Sequence, residues 1–304
     1  MSSTELPTKN FHVFKSHIGP VHVVRYDSSG EYVLTGGQDR TLKLWNPETG
    51  LVIKTYEGHG KEVLGASITR DHSKFVSCGG DRQVFLFDVT TARTIRRFEG
   101  HQHRINAVDF NRDGTVVVSG SYDSTVRIWD CRGNSRYPIQ ILEEAKDSVA
   151  SLQVSDYEII TGSVDGNIRR YDLRAGALLT DLISQPITSV CFSGDGNCVL
   201  ASSLDDTIRL MDKDNGGLLN SFKGHKNTQY KIQSCLSNYD MHVISGSEDG
   251  NIYIWDLLEG KLLSTINQAH GSVVTCVAYN PKQPVMISTS VDGTAKVWKT
   301  QSLV

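Results

Sequence analysis

Histidine, hydroxyl and aspartate side chains recur along this chain in one fixed order, and these are the groups that carry acid–base and nucleophilic chemistry. Four sets are complete, each ending in a tryptophan: His17, Thr35, Asp39 and Trp45; His101, Ser119, Asp123 and Trp129; His225, Ser245, Asp249 and Trp255; His270, Ser288, Asp292 and Trp298. Regular recurrence at equivalent places is what a structural role requires. A buried carboxylate needs donors, and an imidazole N–H with a hydroxyl supplies them where the local dielectric is low. Each set is expected to tie its own part of the fold together, by a few kcal/mol at most. No G-x-x-x-x-G-K-[ST], G-x-S-x-G, H-E-x-x-H or complete EF-hand pattern is present. The nearest miss, Asp212 to Gly216, has its glycine one residue early and lacks the later glutamate, so it reads as a turn. No catalytic residue, metal ligand or cofactor is expected.

The elements that position these sets are short strands. Each tryptophan closes an alternating run: TLKLW, TVRIW, NIYIW and TAKVW. The aspartate stands six residues before it, and the same offset finds Asp81 with Phe87, Asp165 with Tyr171, and Asp205 with Met211. The seven aspartates are spaced 42, 42, 42, 40, 44 and 43 residues apart, the period of four-stranded propeller blades. The expected fold is all-β, a seven-bladed β-propeller in one domain over residues 11–300, with tails at 1–10 and 301–304. Its repeats lie near 11–46, 51–88, 93–130, 137–172, 178–212, 218–256 and 261–299. The last copy runs out after its third strand, and FHVF (11–14) precedes His17 as KTYE precedes Gly58. The N-terminal strand should therefore pair with the C-terminal blade and close the ring, removing an open edge.

The copies are unequal. Copy two has His59 but Phe87 for the tryptophan, and copies four and five have Glu143 and Ile183 at the histidine offset. Those two are expected to hold mainly by apolar packing, leaving a softer sector over residues 137–216.

Thirty-one Lys and Arg against 34 Asp and Glu give a net charge of −3, which disfavours direct nucleic-acid binding. The N-terminal residues show no leader pattern and no apolar run is long enough to span a bilayer, so cytoplasmic and nuclear residence without a membrane is expected. Six cysteines without a C-x-x-C pair read as free thiols packed near strands. Glu143 to Asp147 reads as a solvated loop.

With GH dipeptides at residues 58, 100 and 224 added, the pattern resembles the WD-repeat family over residues 11 to 300. The resemblance implies a hydrogen-bonded His, Ser/Thr, Asp and Trp tetrad in each complete blade, and a narrow top face that binds proteins. Mapped here, that face is His22, Gln38, Glu62, Leu64, Arg104, Asn106, Tyr122, Val164, Thr188, Leu204, Tyr230, Ile232, Glu248, Thr275 and Val291. Such a mixture of aromatic, apolar and Arg side chains suits interface anchors. TLKLWNP (41–47), SVDGNIRRYDLRAG (163–176), SSLDDTIRLMDKD (202–214) and GHKNTQYKI (224–232) are similar to one branch of the family. That likeness implies a monomeric, non-enzymatic scaffold within larger complexes, with mitogen-activated protein kinase (ERK) cascade components or spliceosomal proteins as partners. Asp130 and Arg132 fit the W-D-x-R signature of cullin-4 ubiquitin ligase receptors, and Asp172 and Arg174 a near variant, which implies substrate reception as the alternative. Ser302, Leu303 and Val304 resemble a PDZ ligand but read as an uninvolved tail.

Overall fold

The computed structural model describes residues 5–301; the tail residues 302–304 lie outside them. Seven antiparallel four-stranded sheets stand in a ring. The inner strands are Val21–Tyr26, Val63–Ile68, Ile105–Phe110, Val149–Val154, Ile187–Phe192, Ser234–Leu236 and Val274–Tyr279, for blades 1 to 7 in that order. No helix among the described residues is long and apolar enough to cross a membrane.

Closure follows the expected topology. Lys9–Phe14 is the outer strand of blade 7 and pairs with Ala295–Lys299, Phe14 opposite Ala295. The strand begins at Lys9, and Leu6 ahead of it packs against the core around Trp298.

A sheet buried on both faces must pack against its neighbours, so the core lies between the blades. Seven apolar clusters fill the seven gaps; Val76, Leu86 and Phe98 of blade 2, for example, meet Ile105, Val117 and Trp129 of blade 3. The fit demands small residues: a Cβ on Gly120 would stand 2.6 Å from Val149 of the next blade, and one on Gly162 2.5 Å from Ile187.

Each turn has a chemical reason. The aspartate after the third strand caps the bend to the fourth: Asp172 Oδ1 accepts from the backbone N–H groups of Arg174 at 2.8 Å and Ala175 at 3.0 Å, and Asp256 does the same for Leu258 and Glu259. Asp212 accepts likewise from Asp214 and Asn215, which makes residues 212–216 the turn their pattern suggested. Between the second and third strands, the residue after the tight aspartate is left-handed in every blade: Arg40, Arg82, Ser124, Gly166, Asp206, Gly250 and Gly293.

Candidate functional site

The tetrads of blades 1, 3 and 7 are closed chains of hydrogen bonds. In blade 3, His101 Nδ1 lies 2.9 Å from Asp123 and Nε2 2.8 Å from Ser119 Oγ, while Trp129 Nε1 donates to the same hydroxyl at 2.9 Å. One tautomer satisfies every group: Nδ1–H donates to the carboxylate, and Nε2 accepts from the serine. Blade 1 repeats this with His17, Thr35, Asp39 and Trp45, and blade 7 with His270, Ser288, Asp292 and Trp298. Blade 2 keeps His59, Ser77 and Asp81 and replaces the indole by packing, with Phe85 against the His59 ring at 4.2 Å.

Blade 6 departs from expectation. Trp255 Nε1 donates to the Lys223 carbonyl at 3.1 Å, Ser245 Oγ to the Gly246 carbonyl, and both nitrogens of the buried His225 ring have no hydrogen-bond partner. Two extra residues between His225 and Asp249 displace the imidazole from its usual place. Asp249 accepts instead from Tyr253 Oη at 2.8 Å.

Blades 4 and 5 add a polar latch to the apolar packing expected of them. Arg169 Nη2 donates to Asp165 Oδ2 at 2.7 Å and Nη1 to Ser163 Oγ at 2.6 Å; Arg209 makes the same fork onto Asp205 and Ser203. Tyr253, Arg169 and Arg209 all stand four residues after the tight aspartate, so one position on the third strand supplies a donor where histidine does not. Blade 4 has a shorter turn between its first two strands, so Lys146 N donates to Asp165 where Gln102 N serves Asp123. Ala145 therefore occupies the histidine place. Glu144, part of the expected solvated loop, accepts from Tyr171 Oη at 3.2 Å.

These differences set two expected results. Replacing His101 by leucine leaves Asp123, Ser119 and Trp129 short of partners and should cost about 2 kcal/mol. The same change at His225 removes an imidazole that satisfies nothing and should be neutral or stabilising; equal losses in urea unfolding would show that His225 does bond. Acid should weaken the fold in a defined window. Burial lowers His270 to about 4 against the pull of Asp292, and lowers His225 to about 4. Unfolded histidine takes its proton near the ordinary value of 6.5, so between about 6.5 and 4 the unfolded chain binds more protons and stability falls with pH. Asp39 and Asp292 extend the loss below: burial pushes them up, but their hydrogen bonds and histidine neighbours outweigh it and hold them below the usual carboxylate value. The melting temperature should fall steadily from pH 7 to pH 4 and continue down.

The top mouth of the channel is built by a repeated irregularity. The inner strands of blades 1 to 5 and 7 each carry a β-bulge at the same step, at His22, Leu64, Asn106, Ala150, Thr188 and Thr275. A bulge re-aims a side chain out of the sheet's alternation. The residue before the tight aspartate, in turn, donates its backbone N–H to the chain entering the inner strand, as Gln38 to Pro20, Tyr122 to Arg104, Val164 to Ser148, Leu204 to Pro186, Glu248 to Lys226 and Val291 to Val273. These bonds fix the rim.

His22, Glu62, Leu64, Arg104, Asn106, Tyr230, Thr275 and Val291 line one hollow of about 300 Å³. Arg104 lies over the Tyr122 ring at 4.8 Å, and His22 meets Gln38 at 3.2 Å. Not every mapped residue faces outward. Ile232 is fully buried, and Thr188 and Thr275 are buried with their hydroxyls spent on Ser202 and Val21 carbonyls. Asn106 is buried too, donating to Ser148 and Val149. Glu248 serves the fold: Oε1 accepts from the backbone N–H groups of Thr228, Gln229 and Tyr230 at 2.7, 2.6 and 3.0 Å. Burial pushes its carboxyl up, yet these donors hold it below its ordinary value.

That cradle shapes the inserted segment of blade 6 and sends Lys231 across the channel, where Nζ donates to the Asn106 carbonyl of blade 3 at 2.7 Å. Burial lowers the lysine to about 8. Lys231 escaped the mapping because the register of blade 6 put its neighbour Ile232 at the expected offset. Arg132 and Arg174 lie on the opposite face and serve their own turns, Arg132 Nε at 3.2 Å from Asp130 and Arg174 over the Tyr157 ring at 4.2 Å.

The model of the WD domain, G-beta repeat, matches residues 8–46, 50–88, 92–130, 178–212, 216–256 and 260–299. The chain belongs to the WD-repeat family. The blade outside the matched ranges is the fourth WD repeat, whose short turn, Ala145 and Arg169 depart most from the pattern. Among WD-repeat proteins it is similar to WD repeat domain-containing protein 83 of Rattus norvegicus, 54% identical over 298 residues, 98% of this chain and 94% of that one. The protein of that name in Homo sapiens is 54% identical over 300 residues, 98% and 94% of the two chains. WD repeat domain-containing protein 83 homolog of Dictyostelium discoideum is 38% identical over 314 residues, 94% and 96%. The WD propeller is an interaction scaffold by family, and protein partners are what such a fold serves.

Proposed function

We propose that this chain is a non-enzymatic scaffold of the cytoplasm and nucleus that organises ERK-cascade kinases, spliceosomal proteins, or both, through the top mouth of its channel. The observation that carries the docking site is the rigid mouth itself, where bulged strands and a fixed rim hold Arg104, Tyr230, His22 and Leu64 around one hollow, with Arg104 lying over the Tyr122 ring. Arg and Tyr on a pre-ordered surface bind with smaller ordering costs. The kinase and splicing partners are supported by the likeness of residues 41–47, 163–176, 202–214 and 224–232 to mitogen-activated protein kinase organizer 1, another name for WD repeat domain-containing protein 83.

Affinity purification from cells tests both parts. The wild-type chain should recover kinase-cascade or splicing proteins, and Arg104→Glu with Tyr230→Ala should lower that recovery at least ~10-fold with an unchanged melting curve. A partner list without either class would overturn the assignment, and full recovery by the double variant would remove the mouth as the docking site.

A further inference from the structure

On the face opposite the mouth, three apolar side chains on two adjoining turns are exposed to solvent. Tyr239 is 95% exposed, Leu258 88% and Met241 45%. Their turns are neighbours: the Leu257 N–H donates to the Met241 carbonyl at 3.1 Å, joining the two turns of blade 6 that carry them. The corresponding turns of blades 3 and 5 carry Asp113–Gly114 and Asp195–Gly196, so turn formation does not ask for a tyrosine here. Turn formation in fact resists it, because Tyr239 and Asp240 are consecutive left-handed residues at φ 60° and 53°.

The backbone around the trio is fixed. Asp240 accepts from the Gly194 N–H of blade 5 at 2.6 Å, Asp256 caps the Leu258 turn, and Asn220 donates to the Leu257 and Leu258 carbonyls at 2.9 and 3.1 Å. The trio is thus presented in a set geometry, which spares a partner the entropy of ordering it.

The surroundings specify the charge of that partner. Asp195, Asp214 and Glu259 are exposed on the adjoining turns, with Asp240 and Asp256 half-buried among them. Of the two lysines on the same turns, Lys213 is already paired with Glu158 at 2.8 Å, which leaves Lys261 against six carboxylates, the half-buried Asp212 included. An apolar centre with an acidic rim excludes nucleic acid and acidic lipid surfaces, and complements a segment whose apolar side chains are flanked by Lys or Arg.

We infer that the turns of blades 5 and 6 on the face opposite the channel mouth are a second docking surface, for a basic protein segment with one or more apolar anchors. The site is separate from the mouth, so one propeller can hold two partners at once. This surface is independent of which proteins occupy the mouth.

A photoreactive benzophenone amino acid at position 258 of the full chain, activated in cells, tests this by mass-spectrometric mapping of the cross-linked peptide. Cross-links should fall in a partner segment that has an apolar residue flanked by Lys or Arg. They should drop at least ~5-fold in Asp195→Asn/Asp214→Asn/Glu259→Gln and persist in Arg104→Glu. A synthetic peptide of the mapped segment should bind the wild-type chain at least ~10-fold more weakly when sodium chloride is raised from about 50 to 300 mM. A neutral or acidic segment, a second copy of this chain, yields unmoved by charge removal, or no cross-link above that of the same probe at Asp113 would each overturn the inference. Loss of cross-links in Arg104→Glu alone would also overturn it, by placing the contact under control of the mouth.

Discussion

A chain lacking residues 1–16 is expected to lose its cooperative fold, or to melt more than ~10 °C below the intact protein. The deletion removes the outer strand of blade 7, whose pairing runs from Lys9 against Lys299 to Phe14 against Ala295. It uncovers the third strand, where Val297 is fully buried and Trp298 nearly so. It also takes Phe14, which is 2% exposed and stacks on Trp45 of blade 1 at 4.4 Å with an interplanar angle of 5°. The strand thus belongs to one blade by hydrogen bonding and to the next by packing. Losing one buried aromatic side chain costs about 3–5 kcal/mol, against about 5–15 kcal/mol for the stability of a whole domain. The open strand edge adds an aggregation hazard that intact blades do not present. Thermal unfolding by circular dichroism decides the matter, and the synthetic peptide 1–16 added in trans should restore part of the lost melting temperature. A truncated chain that melts with the intact one would mean that closure contributes nothing.

The ring was legible because its signal is redundant. The offset between aspartate and tryptophan survives even where Phe87, Tyr171 or Met211 replaces the indole, since each still fills the same apolar place. The tetrads of blades 1, 3 and 7 were legible for a similar reason: all four side-chain types stand at fixed offsets, and one tautomer satisfies them. Blade 6 was not, because a count of residue types does not register that two extra residues carry His225 away from Asp249. Its consequence at the mouth, Lys231 reaching Asn106, depends on a contact 125 positions apart in sequence. In blades 4 and 5 the absent histidine was legible, but the carboxylate asks only for a donor, and Arg169 and Arg209, four residues after their aspartates on an alternating strand, supply it.

That distinction carries the remaining large effect. Arg169 and Asp165 have side-chain exposures of 4% and 9%, so Arg169→Met leaves without a counter-ion a carboxylate that has little access to water and keeps only neutral donors from Lys146 N, Ser163 and Asn167. Breaking a buried pair from one side costs about 3–5 kcal/mol, whereas replacing both partners is often close to neutral. The charged form of Asp165 depends on those donors. Burial raises its carboxyl, and the Arg169 and Ser163 hydrogen bonds reverse that and hold it well below the usual range. Arg169→Met should therefore destabilise blade 4 by about 3 kcal/mol, and Arg169→Met with Asp165→Asn should recover most of the loss, because the amide keeps the turn's hydrogen bonds to Asn167 without an unpaired charge. Urea unfolding of the wild type, both single variants and the double variant gives the coupling energy directly. If blades 4 and 5 were held by apolar packing alone, the cycle would show no coupling and Arg169→Met would cost little. A coupling of about 2 kcal/mol or more would instead place these two blades among the firmly latched ones, and leave blade 6, with its unpartnered His225, as the blade whose first-strand entry is held least by its own tetrad.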